Sequence, residues 1–372
     1  MLKKTLAIVC AGFLLGATGA RAQNLGTGLL PQPDQSTTRV GTRGANFLEI
    51  PIGARGQALG ASGGALIDGA QGLAWNVASA ASVEGFSLAF DYTNLFADTD
   101  IDLIYAAAVF SLNDVSALGI TVTSLNSGDI IRTTEDFPEG GDPQFGETFK
   151  FNGFAAGLTY ARAITDRLNV GAQVKLVSEG LDDAKVDWVA LDVAALFRTG
   201  LVGTTLGATI TNIGGDANYS GSAVERIVAA GTDAFQTEDN VPVSFDTRAL
   251  TLPTAFRFSV VADVIGSAEA WVPSAGTTSQ LKLALDFYDS ISTALQPSLG
   301  LEYSFRELIF GRLGKRWYNE ESTSDFRDFS DGFALGAGLK IPILKRFLQL
   351  DYAYTDRGIL ENTQTFSLQF GT

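Results

Sequence analysis

From about residue 84 to its end the chain alternates: large apolar residues take every second position, and polar or small ones take the positions between. In Leu281-Lys282-Leu283-Ala284-Leu285-Asp286-Phe287 the odd positions are apolar, and in Leu348-Gln349-Leu350-Asp351-Tyr352-Ala353-Tyr354 the even ones are. A period of two puts successive side chains on opposite faces of a β-strand, so each such segment has one greasy face. Past the first twenty residues no run of 18 apolar residues occurs, which excludes a membrane-spanning helix. The chain must therefore bury or solvate its greasy faces as sheet.

A water-soluble sandwich also alternates, and two features separate it from a membrane barrel. Aromatics gather near segment ends (Tyr92, Tyr160, Tyr303, Phe305, Trp317, Tyr318, Tyr352, Tyr354), as at the two interfaces of a bilayer. The opposite face carries Lys282, Asp286, Glu302, Lys340, Asp351 and many glycines where a sandwich core would carry branched aliphatics. These five charges are candidates for the lining of a wet lumen. The predicted fold is an all-β transmembrane antiparallel β-barrel of about 14 strands, the even number expected of single-chain bacterial barrels. Long polar links follow the third, seventh and eleventh segments (125–148, 213–249 and 319–331), while tight turns such as Asn113-Asp114 and Leu344-Lys345 follow even-numbered ones. Long links at one mouth and short ones at the other is barrel topology. Two places resist the pattern: the link at 266–278 is too long for its mouth, and the strand near 308–318 alternates poorly.

The chain begins with Lys3 and Lys4, an apolar run from Leu6 to Gly19 and Ala20-Arg21-Ala22, the layout of a cleaved secretory leader over residues 1–22. The expected location is the bacterial outer membrane. The single Cys and single Met lie in this leader, so the mature chain has no thiol for a staple or a metal. It has no His either, which removes the imidazole that most hydrolases and metal sites use; no catalytic residue, cofactor or metal is expected, and the protein is read as a non-enzyme. The net charge of −15 disfavours nucleic acid as a partner. Clustered acids at 129–147 and Asp182-Asp183 lack calcium-loop spacing and read as solvated loops.

Residues 23–46 read as an extended polar arm with Pro31 and Pro33, and residues 47–83 as a hatch dense in Gly, Ala and Ser, ahead of the barrel at 84–372. Small side chains let backbone pack closely, and an ~14-strand ring leaves a lumen wide enough to hold such a segment. Within it Arg55 is expected to pair with a lumen carboxylate, Glu302, Asp286 or Asp351, and Trp75-Asn76 to anchor the hatch, the indole by burial and the amide by capping backbone in a turn.

The series Phe47-Leu48, Gly53-Ala54-Arg55, Leu59-Gly60, Gly63-Gly64-Ala65, Asp68 and Trp75-Asn76-Val77-Ala78 resembles the N-terminal signature of the PorV/PorQ family of outer-membrane barrels, distant relatives of the FadL fatty-acid transporters. Gly300-Leu301-Glu302-Tyr303, Arg312-Leu313-Gly314 and Leu350-Asp351-Tyr352 are similar to its later landmarks. Val77 stands where that family usually has Pro. The resemblance implies a 14-stranded FadL-like barrel with a plug, and Arg55, Asp68, Trp75 and Asn76 as plug residues. It also implies a docking or shuttle role in protein secretion of the type IX kind. The partners would be outer-membrane lipid, secreted cargo with a C-terminal signal domain, a surface sortase and a translocon. The alternative is a passive channel for hydrophobic small molecules, which calls for an apolar pocket beside the hatch.

Overall fold

Alternation resolves into strands wherever both faces have a solvent of their own. The structure, a computed structural model, describes residues 41–97, 99–141, 147–230, 239–266, 268–273, 278–318 and 330–372. The leader and most of the arm lie outside them. Among the described residues fourteen strands form the ring: β1 Phe86–Leu95, β2 Ile101–Asn113, β3 Ser116–Asn126, β4 Phe151–Ala163, β5 Leu168–Leu181, β6 Ala184–Arg198, β7 Thr204–Gly214, β8 Ala255–Gly266, β9 Ser279–Ser290, β10 Gln296–Phe305, β11 Ile309–Arg316, β12 Phe333–Ile343, β13 Arg346–Asp356 and β14 Asn362–Gly371. Each pairs antiparallel with its neighbour, and β1 pairs with β14 from Ser87↔Gly371 to Asn94↔Gln364, which closes the barrel. Closure leaves no free sheet edge, the condition for a sheet in hydrocarbon.

The outer face is apolar throughout the ring. Leu158, Leu176 and Val189 are about 60 % exposed, and Leu88, Phe90, Ile120, Leu335 and Leu368 point the same way. A side chain of this size gains roughly 1.5–3 kcal/mol when it leaves water, so a belt of this kind is stable only in lipid. Tyr160, Tyr303, Phe305, Trp317 and Tyr354 are exposed near strand ends. Tyr318 departs from that expectation and turns to the lumen mouth, where its hydroxyl accepts from Arg357 Nη1 at 2.7 Å.

The two mouths differ. Links 127–150, 215–254 and 317–332 lie at one mouth, and β1 begins and β14 ends at the other, beside the turns at 114–115, 306–308 and 344–345. Two long links carry small ladders of their own, Ile130–Ile131 with Thr148–Phe149 and Glu225–Ala230 with Asp239–Ser244. At the tip between β5 and β6 the Arg132 guanidinium donates to Asp182 at 2.6 Å and holds that carboxyl below the usual range. Asp183 accepts from Ser222 Oγ at 3.1 Å. Among the described residues no group of three metal-ligating side chains converges.

Two expectations about strand limits change. The link after β8 is long at the short-turn mouth because it folds back: Val272–Pro273 pairs in parallel with Ile265–Gly266, and Trp271 N–H donates to Asp263 O at 3.1 Å. The strand expected to start near 250 starts at Ala255 instead, after Pro253, which cannot donate to a ladder.

Candidate functional site

The lumen is filled by chain that precedes β1. Residues 45–83 form four short turns joined by close-packed links: a 3-10 turn at Asn46–Glu49, a one-turn α-helix at Ala54–Ala58 (α1), and 3-10 turns at Gln71–Ala74 and Val77–Ser82. Such short helices have too little propensity to stand alone, so the barrel wall must hold them. α1 packs mainly on β13 and β12. Gly53 precedes it at φ 84, a conformation open to glycine, and a Cβ there would lie 2.4 Å from Gln71 Nε2.

Inward-facing glycines mark where plug and wall touch. A Cβ on Gly314 of β11 would fall 2.0 Å from Gly60 N, one on Gly336 of β12 2.4 Å from Ala58 Cβ, and one on Gly300 of β10 2.8 Å from Leu59 Cβ. Across the barrel, a Cβ on Gly171 of β5 would fall 2.8 Å from Ala78 N, and one on Gly153 of β4 2.6 Å from Phe47 Cδ1. Nearly bare backbone on both sides brings the chains into contact and leaves the charged positions between the glycines to do the pairing.

Arg55 joins the plug to the wall. Its Nε and Nη2 donate to Glu302 Oε2 and Oε1 at 2.9 and 2.8 Å, and Nη1 reaches Asp68 Oδ1 at 3.1 Å. Glu302 also accepts from Arg312 Nε at 2.7 Å, and Arg312 Nη1 donates to Asp351 at 2.6 Å. Of the three carboxylates expected for Arg55, the structure places Glu302 there. Asp286 instead accepts from Arg257 Nη1 at 3.1 Å and from Gly64 N at 3.0 Å, and Asp351 belongs to Arg312. A forked guanidinium on a carboxylate is the strongest of these contacts, and Glu302 is 3 % exposed.

Trp75 is 3 % exposed and its Nε1 donates to Ile52 O at 3.0 Å, with Gly56 and Gly63 against the indole. The Arg257 guanidinium lies 4.9 Å from the Trp75 ring centre and 4.8 Å from that of Tyr288. Asn76 Oδ1 accepts from Ala78 N at 3.0 Å as the cap of the last 3-10 turn, and its Nδ2 donates to Ala195 O of β6 at 3.1 Å. The chain turns toward β1 only after Val83, so Trp75-Asn76 is a wall anchor inside the plug and not its final residue pair. Asn76 is already extended (φ −156, ψ 105), as a residue before proline must be. Val77 opens a turn, where a missing N–H costs little. Val77→Pro should therefore change stability by less than about 1 kcal/mol; a clearly lower melting midpoint in detergent would show that the Val77 amide has a partner.

Among the described residues, two cavities of note flank the plug. At the mouth where β1 begins and β14 ends, one of about 400 Å³ is lined by Arg55, Asp68, Lys282, Glu302, Lys340, Gln349 and Gln369 among others. Its charges are mixed in sign. On the other side, one of about 80 Å³ has Leu48, Ile50, Ile52, Leu73, Ala74 and Trp75 of the plug on one wall, and Tyr105, Gln173, Lys175, Asp192 and Asn212 of the barrel on the other. Above it Phe47, Leu95, Leu103, Leu125, Val177, Trp188 and Leu252 pack into an apolar core that fills the lumen toward the long links. The polar wall is held at a bulge, where Asn212 (φ 60) interrupts the β6–β7 register between Leu191 and Val193. Lys175 Nζ meets Asp192 Oδ2 at 2.8 Å and Asn212 Oδ1 at 2.5 Å, and Asn212 N donates to Asp192 Oδ1 at 2.7 Å. Arg257, Arg312, Lys175 and Asp192 were not among the expected lumen charges; Arg257, Lys175 and Asp192 each sit between outward apolar neighbours, so the same alternation marks them, whereas Arg312 stands between Gly311 and Leu313 in the segment where the alternation is weak.

No protein-family model matches the chain, and no curated protein matches it. Solved structures do. The chain is similar to the CymD monoaromatic hydrocarbon channel (TM-score 0.50, 12 % identity, 86 % of this chain and 96 % of that one). It is similar to the same degree to the Ralstonia pickettii toluene transporter TbuX (TM-score 0.50, 13 % identity, 86 % and 96 %). A Pseudomonas aeruginosa FadL homologue aligns with a TM-score of 0.49 at 13 % identity over 86 % and 98 %. At this identity the likeness speaks to the fold, a closed 14-stranded barrel.

Proposed function

We propose that the protein is a non-enzymatic outer-membrane channel for small hydrophobic molecules, held shut by its own plug. The observation that carries this reading is the cavity between the barrel wall and the apolar plug face of Leu48, Ile50, Ile52, Leu73 and Trp75, continuous with the apolar core toward the long links. One wall is apolar and the other carries fixed polar groups, Lys175, Asp192 and Asn212 among them; small-molecule sites pair apolar lining with placed polar groups that set a ligand's orientation. CymD and TbuX, named for monoaromatic hydrocarbons and toluene, share the fold and support the same class of cargo. The cavity of about 80 Å³ is smaller than the roughly 150 Å³ that holds benzene in a dry protein interior, so cargo moves only when plug residues move. Energy-poisoned cells carrying the barrel should take up labelled toluene faster than cells without it, and Ile52→Trp, which fills the cavity, should abolish the gain. Equal uptake in all three would sink the channel reading.

A docking role in protein secretion is the second reading, favoured by the acid-rich links 127–150 and 215–254 at one mouth and by the order of the PorV/PorQ-like motifs. Its partners would be secreted cargo, a sortase and a translocon. Gentle-detergent capture that recovers secreted proteins sharing a C-terminal domain, with no gain in toluene uptake, would replace the first reading with this one.

A further inference from the structure

The plug has a direction. Its last residues leave the lumen at the mouth where β1 begins: Ala70 N donates to Ser87 Oγ at 2.9 Å, and Thr372 Oγ1 donates to Glu84 O. Its first residues lie at the opposite mouth. Ala45 N donates to Glu179 Oε2 at 2.7 Å near the upper end of β5, and the Tyr219 hydroxyl from the long link 215–254 donates to the same carboxylate. Gly44 N donates to Thr251 O at 3.1 Å, at the end of that link, and Arg43 donates to the Thr251 hydroxyl. Glu49 accepts from Tyr288 and Ser290 at the upper end of β9. Gly44 is buried so tightly that a Cβ would lie 2.4 Å from Trp188 Cζ2, whereas Gly41 and Thr42 are exposed. The chain therefore passes from solvent into the lumen at the mouth that bears the long links.

Bacterial barrels carry their long links outside the cell and their short turns in the periplasm. We propose that the plug is threaded from the extracellular mouth, so that the residues preceding Gly41 are delivered to the outer face of the membrane as a peptide arm. Between the leader and Arg43 the sequence is polar and contains Pro31 and Pro33, a composition that favours extended backbone. The inference rests on the barrel's orientation and on the plug's direction, and holds whether the barrel moves small molecules or docks proteins.

Cysteine labelling tests it, because Cys10 is the chain's only thiol. With Cys10→Ser as background, Ser36→Cys reports the arm, Thr134→Cys the long link after β3, and Glu84→Cys the opposite mouth. In intact cells a membrane-impermeant maleimide should label Ser36→Cys to the same extent as Thr134→Cys, and should reach Glu84→Cys only after the outer membrane is permeabilised. Labelling of Ser36→Cys only after permeabilisation, with Thr134→Cys labelled in intact cells, would overturn the direction of threading. So would a Ser36→Cys that stays unlabelled in both conditions. Glu84→Cys labelled in intact cells with Thr134→Cys protected would overturn the orientation.

Discussion

Glu302→Gln is expected to release the plug from one side of the barrel. The carboxylate accepts three charge-assisted hydrogen bonds, two from Arg55 and one from Arg312, and is 3 % exposed. Taking its charge away leaves two guanidiniums facing an amide in a site where water reaches only the edge. Removing one partner of a buried ion pair costs about 3–5 kcal/mol, because the other charge stays desolvated. The loss falls on Arg55 more than on Arg312, since Arg312 keeps Asp351 at 2.6 Å whereas Arg55 keeps only Asp68, whose side chain is 74 % exposed. An exposed partner of that kind contributes about 1 kcal/mol or less. Amide exchange over residues 54–68 should therefore quicken by about a hundredfold or more while the strands stay protected, a local opening and not global unfolding. Single-channel conductance in a planar bilayer should rise in step. Asp68→Asn is the contrast, with exchange close to wild type. If Glu302→Gln leaves both exchange and conductance unchanged, the ion pair does not hold the plug.

Much of this arrangement is written in the period of two. Lys282, Asp286, Glu302, Lys340 and Asp351 all fall on the parity opposite the greasy residues, and all face the lumen, because a strand in a one-layer ring has only two environments to choose between. Strand limits near 308–318 were harder to read, since Leu308 sits in the turn before β11, after Arg306 and Glu307 at positive φ, and its apolar side chain blurs the parity of Ile309 and Leu313. Which lumen charge meets which was not legible. Arg55 had three carboxylates of the right parity within reach of a lumen segment, and the choice depends on how deep the plug sits. That depth is set by contacts of almost featureless residues: Gly60 against the Lys315 backbone, Ala58 against Gly336, Val77 and Ala78 against Gly171. Glycine opposite glycine says that two chains come close and nothing about which two. Direction was hidden for the same reason, because nothing in residues 45–83 distinguishes a plug threaded from one mouth from one threaded from the other until Ala45 is seen on Glu179 and Ala70 on Ser87.

Those depth-setting contacts yield the second large effect, at Gly314. Its ideal Cβ would lie 2.0 Å from both Gly60 N and Leu59 C, and 2.7 Å from Leu59 Cα, so the obstacle is main chain that cannot rotate aside. Gly60 is itself at φ 65, with its own Cβ position 2.5 Å from Lys315 N, so neither side of the contact has room to give. Forcing extra methyl groups into a packed interior costs about 1–3 kcal/mol even where side chains can shift, and here the displacement must be borne by backbone. Gly314→Val should therefore expel α1 from its place, breaking the Arg55 to Glu302 fork with it, and protease should cut within residues 53–66 in a barrel that still migrates as a folded, heat-modifiable band. Gly311, three residues earlier on β11, supplies the control: it faces lipid, a Cβ there meets nothing within 4 Å, and a β-branched residue suits a strand. Gly311→Val should leave plug protection and melting unchanged. Two valines on one strand, one facing lipid and one facing the plug, thus separate harm to the barrel from displacement of the plug, and equal protease sensitivity in both variants would mean that the plug does not lie against β11.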